Sequence, residues 1–338
     1  MPVYGVAPNP VVEGAATRPV PTAGSFVVSS HARRRVHTAF VLSGGGNRGA
    51  CQVGMLRALS ERGIVPDLVV GTSIGAVNAA CFAGQPTLEG TYLAAEMWRK
   101  IGAEDVFPKS LLHGSWRFLA RREAAYPIDG LRELVGGFLR FERLEDSPVP
   151  LTVVATRLDD GVEEWMSEGP ALDAVLASAA LPAVFPPVER GGTRYIDGGV
   201  VDNVPLSVAL AAGARRVYVL MCSGVDYRPF DFDRPYEALL AAFGQSIHAR
   251  LGRDLAAVPA EADVVVFEQS GVTDVLWQDF SHTEELLERG YLDARTVLER
   301  AESQIQMHRG KHLGARWWSR PAAHQRVAKR KSRSARKP

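Results

Sequence analysis

The stretch Asp67-Leu68-Val69-Val70-Gly71-Thr72-Ser73-Ile74-Gly75-Ala76-Val77-Asn78-Ala79-Ala80-Cys81-Phe82 changes character at its middle. It begins as a short β-branched apolar run with the make-up of a buried strand and ends in small residues at home in a packed helix. Between the two, Gly71-Thr72-Ser73-Ile74-Gly75 fits the G-x-S-x-G pattern, in which a sharp strand-to-helix turn lifts a serine hydroxyl out of a sheet and requires small neighbours on both sides. Five residues of such common types also occur in ordinary loops. The strand before and the helix after are what favour the elbow here.

The same order precedes it. Thr38 to Ser43 reads as a buried strand, Gly44-Gly45-Gly46-Asn47-Arg48-Gly49 as a loop, and Arg48 to Glu61 as a helix with Val53, Leu56 and Leu59 at helical spacing and Gly63 as its C-terminal cap. Two such units in succession predict parallel neighbouring strands. A glycine loop at a strand-to-helix junction presents free backbone N–H groups to negative charge, and two chemistries use it. One is a dinucleotide-binding oxidoreductase, because the loop satisfies G-x-G-x-x-G and Asp67 lies near the spacing of a ribose-binding acid. Asp67 opens the next strand, however, whereas a ribose-binding acid belongs at that strand's end. The other is an oxyanion hole, which binds the negative oxygen formed when a serine attacks an ester carbonyl. Arg48 either fixes this loop, meets an anionic headgroup, or is an exposed arginine with no special partner.

Further along, residues 87–101 are predicted helical. Residues 105–126 mix Phe107, Leu111, Trp116 and Phe118 with Lys109, Arg117, Arg121 and Arg122, the pattern either of a lid or membrane-facing segment or of a core-packed helix with snorkelling bases. Leu151–Thr156 and Val162–Met166 flank the turn Asp159-Asp160-Gly161, a hairpin signal. A helix from Ala171 to Ala180, a strand Thr193–Ile196, a helix Val204–Ala212, strands Arg216–Met221 and Asp263–Phe267, and a helix Thr283–Ser303 with apolar Leu286, Leu287 and Leu292 follow. Alternating strands and helices predict a layered α/β fold.

Serine is a weak nucleophile unless a base takes its proton. None of the eight histidines stands at a strand end where such a base would be placed. Asp197 does: it follows a strand and precedes Gly198 and Gly199, which leaves a short carboxylate at the sheet's edge. Taken alone, Asp-Gly-Gly is a turn signal before it is anything else.

The composition, 46% hydrophobic and 23% charged over 338 residues, is that of a globular protein with a substantial core. No apolar run reaches the roughly 18 residues of a membrane span. Residues 1–37 lack the features of a secretory signal and read as a flexible leader. Cys51, Cys81 and Cys222 have no paired-ligand spacing, so they read as buried thiols in a reducing, cytoplasmic setting rather than as a disulfide framework or zinc site. Residues 315–338 hold nine Lys or Arg and no acid, leaving 30 basic against 38 acidic residues elsewhere. The tail from 313 to 338 reads as a solvated end or as a tether to anionic lipid or nucleic acid.

With these motifs in order, the sequence resembles the patatin-like phospholipases. GGGNRG at 44–49 looks like their glycine-rich motif, GTSIG at 71–75 their nucleophile elbow, and DGG at 197–199 their aspartate motif. SAALPAVFPPV at 178–188 and DNVPL at 202–206 are similar to family segments too. The resemblance covers about residues 38–222, with 223–312 expected to complete the same domain. It implies a three-layer α/β/α sandwich with a central, mainly parallel sheet. It implies Ser73 as nucleophile and Asp197 as base, with an oxyanion hole drawn from Gly44, Gly45, Gly46, Asn47, Arg48 and Gly49. Gly71, Gly75, Gly198 and Gly199 frame the two motifs. The implied reaction is hydrolysis of a phospholipid or other acyl-lipid ester at a membrane surface, with no metal, cofactor or nucleic acid. A catalytically silent relative that binds lipid or a partner is the other reading of the same resemblance.

Overall fold

The computed structural model describes residues 36–106, 124, 126–222, 246–247, 249–270 and 279–309. Its strands are β1 (Thr38–Leu42), β2 (Leu68–Thr72), β3 (Leu151–Arg157), β4 (Glu163–Met166), β5 (Val188–Arg190), β6 (Thr193–Asp197), β7 (Arg216–Met221) and β8 (Asp263–Glu268). Its helices are α1 (Ala50–Glu61), α2 (Ile74–Gly84), α3 (Leu88–Lys100), α4 (Ala103–Val106), α5 (Asp129–Phe138), α6 (Ala171–Ser178), α7 (Leu206–Ala211) and α8 (Thr283–Arg309), with residues 249–256 also helical.

The five strands β3-β2-β1-β7-β8 run parallel in that order, and β4, β5 and β6 add antiparallel pairings at the β3 end. Successive side chains of a strand point to opposite faces, and both faces are apolar here. Phe40, Leu42, Val69, Val153 and Leu220 pack with α1, α2, α3, α6 and α8; Ala39, Val41, Val70, Val154 and Val219 pack with α7 and Leu251. The result is the expected three-layer α/β/α arrangement around a mainly parallel sheet.

One consequence of register places the site. On β3, residues Ala155 and Thr156 pair with both β4 and β6, so those two strands lie on opposite edges. Val153 and Val154 pair with both β4 and β2, so β2 and β4 also lie on opposite edges. β2 and β6 therefore share one edge of β3, end to end. Thr72, the last residue of β2, stands opposite Val154, and Asp197, the last of β6, stands opposite Ala155.

The hairpin at residues 159–161 forms as expected, but β5 is an additional strand that no sequence signal announces. It has only three residues, follows Pro186-Pro187, and turns into β6 through Gly191 and Gly192, both at positive φ. In α8, Leu286 and Leu287 are buried, whereas Leu292 is 42% exposed. The buried stripe continues instead through Ala294 and Leu298, which return to the face of Leu287 after two and three turns. Most of the 105–126 segment, the leader and the basic tail lie outside the described residues.

α8 crosses α1 closely because both lack a side chain at the crossing. A Cβ at Gly54 would lie 2.6 Å from the Tyr291 nitrogen, and one at Gly290 would lie 2.7 Å from the Cys51 carbonyl carbon. In an open helix Gly→Ala gains about 1 kcal/mol of propensity. Here overpacking of order 1–3 kcal/mol opposes that gain. Gly290→Ala is expected to lower the urea midpoint; a raised midpoint would mean that the two backbones do not touch.

Candidate active site

Ser73 leaves β2 with φ 55° and ψ −128°, one of two non-glycine residues at positive φ among those described. Such a conformation costs about 1–3 kcal/mol and persists only where the surroundings hold it. Three features hold it. Gly71 and Gly75 let the turn close: a Cβ at Gly71 would lie 2.7 Å from the Ala76 Cα, and one at Gly75 would lie 2.6 Å from the Ser43 carbonyl oxygen. The Ser73 N–H donates to Ser178 Oγ at 2.9 Å, and Ser178 Oγ donates to the Val154 carbonyl at 2.5 Å, tying the elbow to β3. Thr72 Oγ1 donates to the Asp202 carbonyl at 2.9 Å.

Because β6 continues the edge on which β2 ends, the Asp197 carboxylate meets the elbow. Ser73 Oγ donates to Asp197 Oδ2 at 2.6 Å, and the Gly199 N–H donates to Asp197 Oδ1 at 2.7 Å. Gly198 and Gly199 permit this turn, since a Cβ on Gly198 would run into the Val154 carbonyl and one on Gly199 would lie 2.7 Å from Asn203 Oδ1. Asp197 is buried, and loss of hydration pushes its pKa up to about 6 against the pull of the Ser73 and Gly199 donors.

The glycine loop packs beside Ser73, where a Cβ on Gly44 would sit 3.1 Å from the Ser73 Cβ. Its residues do not all face the serine in the same capacity. The Gly44 N–H already donates to the Asn203 carbonyl at 3.1 Å, which ties the glycine loop to the segment after the aspartate motif. Among the described residues the Gly45 and Gly46 amides have no backbone acceptor, and Gly46 takes φ 60°. The Asn47 side chain is buried and donates to the Asp279 carbonyl. Gly49 leaves room for Ile74 and Trp98. Arg48 is half-buried, has no carboxylate within ion-pair reach among the described residues, and keeps a buried Nε without a partner.

Under the loop runs a buried amide chain that sequence reading did not anticipate. Trp98 Nε1 donates to Asn78 Oδ1, Asn78 Nδ2 donates to Gln52 Oε1, and Gln52 Nε2 donates to the carbonyls of Ser43 and Leu220, all at 2.8–3.0 Å. Ser178 and Asn203 were likewise visible only as members of the quoted stretches SAALPAVFPPV and DNVPL, without an assigned task. Asp67, the acid on which a dinucleotide site would rely, accepts the His37 and Thr38 N–H groups at 2.9 Å. It thus caps the beginning of β1, at the sheet end opposite the glycine loop.

Strand, elbow and carboxylate together make a layered α/β protein with a hydrogen-bonded serine–aspartate pair at the carboxyl ends of its parallel strands. The family model for patatin-like phospholipase matches residues 40–210, half of the chain, and the chain belongs to that family. It is 31% identical over 192 residues to lysophospholipase NTE1 of Mycosarcoma maydis, covering 55% of this chain and 10% of the relative. Patatin-like phospholipase domain-containing protein 7 of Rattus norvegicus is 32% identical over 192 residues, 54% of this chain and 13% of the relative. An uncharacterised NTE-family protein of Mycobacterium tuberculosis is 30% identical over 191 residues, 56% of this chain and 50% of the relative. The chain thus spans half or less of the length of these relatives. Among solved structures, human GIVD cytosolic phospholipase A2 is similar with a TM-score of 0.49 at 12% identity, covering 81% of this chain and 60% of that one. VipD from Legionella pneumophila is similar with a TM-score of 0.43 at 15% identity, covering 79% and 67%.

A carboxyl group whose pKa is raised on folding favours the native state below its unfolded pKa and loses that contribution as pH rises through the native value. For Asp197 the loss falls between about pH 4 and pH 6 and amounts to an order of 2–3 kcal/mol above it. Asp197→Asn is expected to denature at higher urea than the parent at pH 8, with the difference shrinking towards pH 4. Equal midpoints at pH 8 would show that the carboxylate is not desolvated.

Proposed function

We propose that the protein is a serine acyl hydrolase acting on carboxylic esters of lipids. The 2.6 Å hydrogen bond from Ser73 Oγ to Asp197 Oδ2 carries this reading, because it joins the hydroxyl to a base with no other ionisable group between them. The substrate class follows from family membership and from the lysophospholipase and phospholipase names of the relatives.

In this mechanism Asp197 accepts the Ser73 proton as Oγ bonds to the ester carbonyl carbon. The carbonyl oxygen becomes negative and takes hydrogen bonds from the Gly45 and Gly46 amides, at a loop edge where each preorganised donor is worth about 100- to 1,000-fold in rate. Collapse breaks the bond to the alcohol portion, which leaves with the proton held by Asp197. Water then repeats the sequence on the acyl-serine: Asp197 takes its proton, the Ser73 ester breaks, and the fatty acid departs as Ser73 recovers its hydrogen. A pKa of about 6 suits this cycle, since the carboxylate is ionised at neutral pH yet more basic than an exposed aspartate. Arg48, a cation of this loop with no carboxylate in ion-pair reach among the described residues, is available to an anionic headgroup, and contact with a membrane surface is part of the proposal.

Fluorophosphonate labelling of the purified protein is expected to vanish in Ser73→Ala. Asp197→Asn should lower kcat for a short-chain ester by about 100- to 10,000-fold with the fold intact. In the parent, kcat/KM should rise with pH through about 6 and level off above it. Residual labelling of Ser73→Ala would remove the serine from its role, and an unlabelled but folded parent would make the protein a lipid-binding relative without catalysis.

A further inference from the structure

Beyond the last family motif, the helix at residues 249–256 brings one arginine to the aspartate loop. Arg250 Nη2 donates to Asp202 Oδ2 at 2.9 Å and to Glu163 Oε2 of β4 at 2.6 Å, and its Nε lies 3.7 Å from Asp254 Oδ2. The three acids do not depend on it equally. The Glu163 and Asp254 side chains remain about a fifth exposed, whereas that of Asp202 is 1% exposed and has no other cation among the described residues. Among the described residues the other partner of its carboxylate is the Ser207 hydroxyl at 3.4 Å, and its Oδ1 has none.

Asp202 is also the residue through which the two catalytic loops are tied. Its N–H donates to the Gly198 carbonyl at 2.8 Å, and its carbonyl accepts Thr72 Oγ1 next to the serine. The carbonyl of the next residue, Asn203, accepts the Gly44 N–H, and Asn203 Nδ2 reaches the Gly44 carbonyl at 3.5 Å. A shift of Asp202 therefore moves the turn that orients Asp197, the end of β2 and the root of the glycine loop together.

We infer that Arg250 is a positioning residue for the Ser73–Asp197 pair, acting through Asp202. It neutralises a carboxylate that the fold must bury in order to join the loops, and so fixes residues 198–203 without itself touching substrate. Burial pushes the Asp202 carboxyl up to about 7 even with Arg250 beside it, and the charges of Glu163 and Asp254 push the same way. Losing the arginine leaves an acid that must take up a proton or pull its loop towards water. The inference rests on the acyl-hydrolase reading and adds to it a residue outside the matched stretch of the family model.

The arrangement predicts an unequal response to substitution. Asp202→Asn removes the carboxylate that needs a countercharge, leaves Arg250 with Glu163 and Asp254, and should lower kcat for p-nitrophenyl butyrate less than Arg250→Met does. Arg250→Met leaves the buried Asp202 acid without its countercharge and should lower kcat roughly tenfold to 100-fold with KM little changed, the size expected of a small misplacement of the reacting groups. The double variant Asp202→Asn/Arg250→Met removes charge and countercharge together and should recover most of the lost kcat. Arg250→Lys, which keeps the charge, should fall between Arg250→Met and the parent, and it reads the same effect if Arg250→Met does not fold. A double variant as slow as Arg250→Met, or an unchanged kcat in Arg250→Met and Arg250→Lys, overturns the inference while leaving the hydrolase intact. A parent inert towards both the ester and the fluorophosphonate overturns the hydrolase reading and this one with it.

Discussion

Everything at the candidate site depends on one edge of β3 being shared. A strand edge offers one row of backbone groups, and here β2 uses the first part of that row and β6 the next. Two chain segments separated by 124 residues consequently end against each other, with the serine just past one end and the aspartate at the other. No side-chain interaction could supply this alignment alone, because a hydrogen bond contributes only about 1 kcal/mol net. The ladder supplies it through many bonds at once, and the Ser73–Asp197 contact is then nearly free of ordering entropy.

The alignment has unfavourable consequences that the surrounding structure offsets. Ser73 sits in a backbone region that ordinary residues avoid, and Asp197, Asp202, Gln52 and Asn78 are polar groups carried into the interior. Each buried amide has a partner. The chain from Trp98 through Asn78 and Gln52 ends on the Ser43 carbonyl, so it terminates at the root of the glycine loop. Ser178 plays a similar part for the elbow by bridging the Ser73 N–H to β3. These groups raise the energy of any displaced loop, which would leave them unsatisfied in a dry interior.

The sequence disclosed the parts of this design whose cause is local. Short continuous apolar runs marked the central strands. The G-x-S-x-G pattern marked Ser73 because an elbow needs small residues at fixed offsets, and Asp197 showed as an acid at a strand end. What escaped was set by contacts between distant segments. Gly44 was indistinguishable from Gly45 and Gly46 until Asn203 claimed its amide. Leu292 looked like its neighbours Leu286 and Leu287 until the α1–α8 crossing fixed which side of α8 faces inward. Three residues of β5 are too few for any period to register. Asp67 misled in the opposite direction, because spacing along the chain says nothing about which end of a strand an acid occupies.

Family motifs encode one part of such a site and leave another to the rest of the chain. Motifs fix the chemistry and the turns that present it: a serine, an acid, and glycines where a Cβ would collide. They do not fix how three loop roots at the ends of β1, β2 and β6 keep a common spacing. Here that spacing is held by a short set of bonds from Gly44 to Asn203, from Thr72 to Asp202 and from Gly199 to Asp197, all converging on residues 197–203. A segment with so many duties tolerates little movement, and its one deeply buried carboxylate outside the pair needs a countercharge. Residues 249–256 lie outside every motif, yet they provide it. Support of this kind can come from any element that reaches the loop, so it need not carry a sequence signature, and it is read from charge and burial in the folded chain.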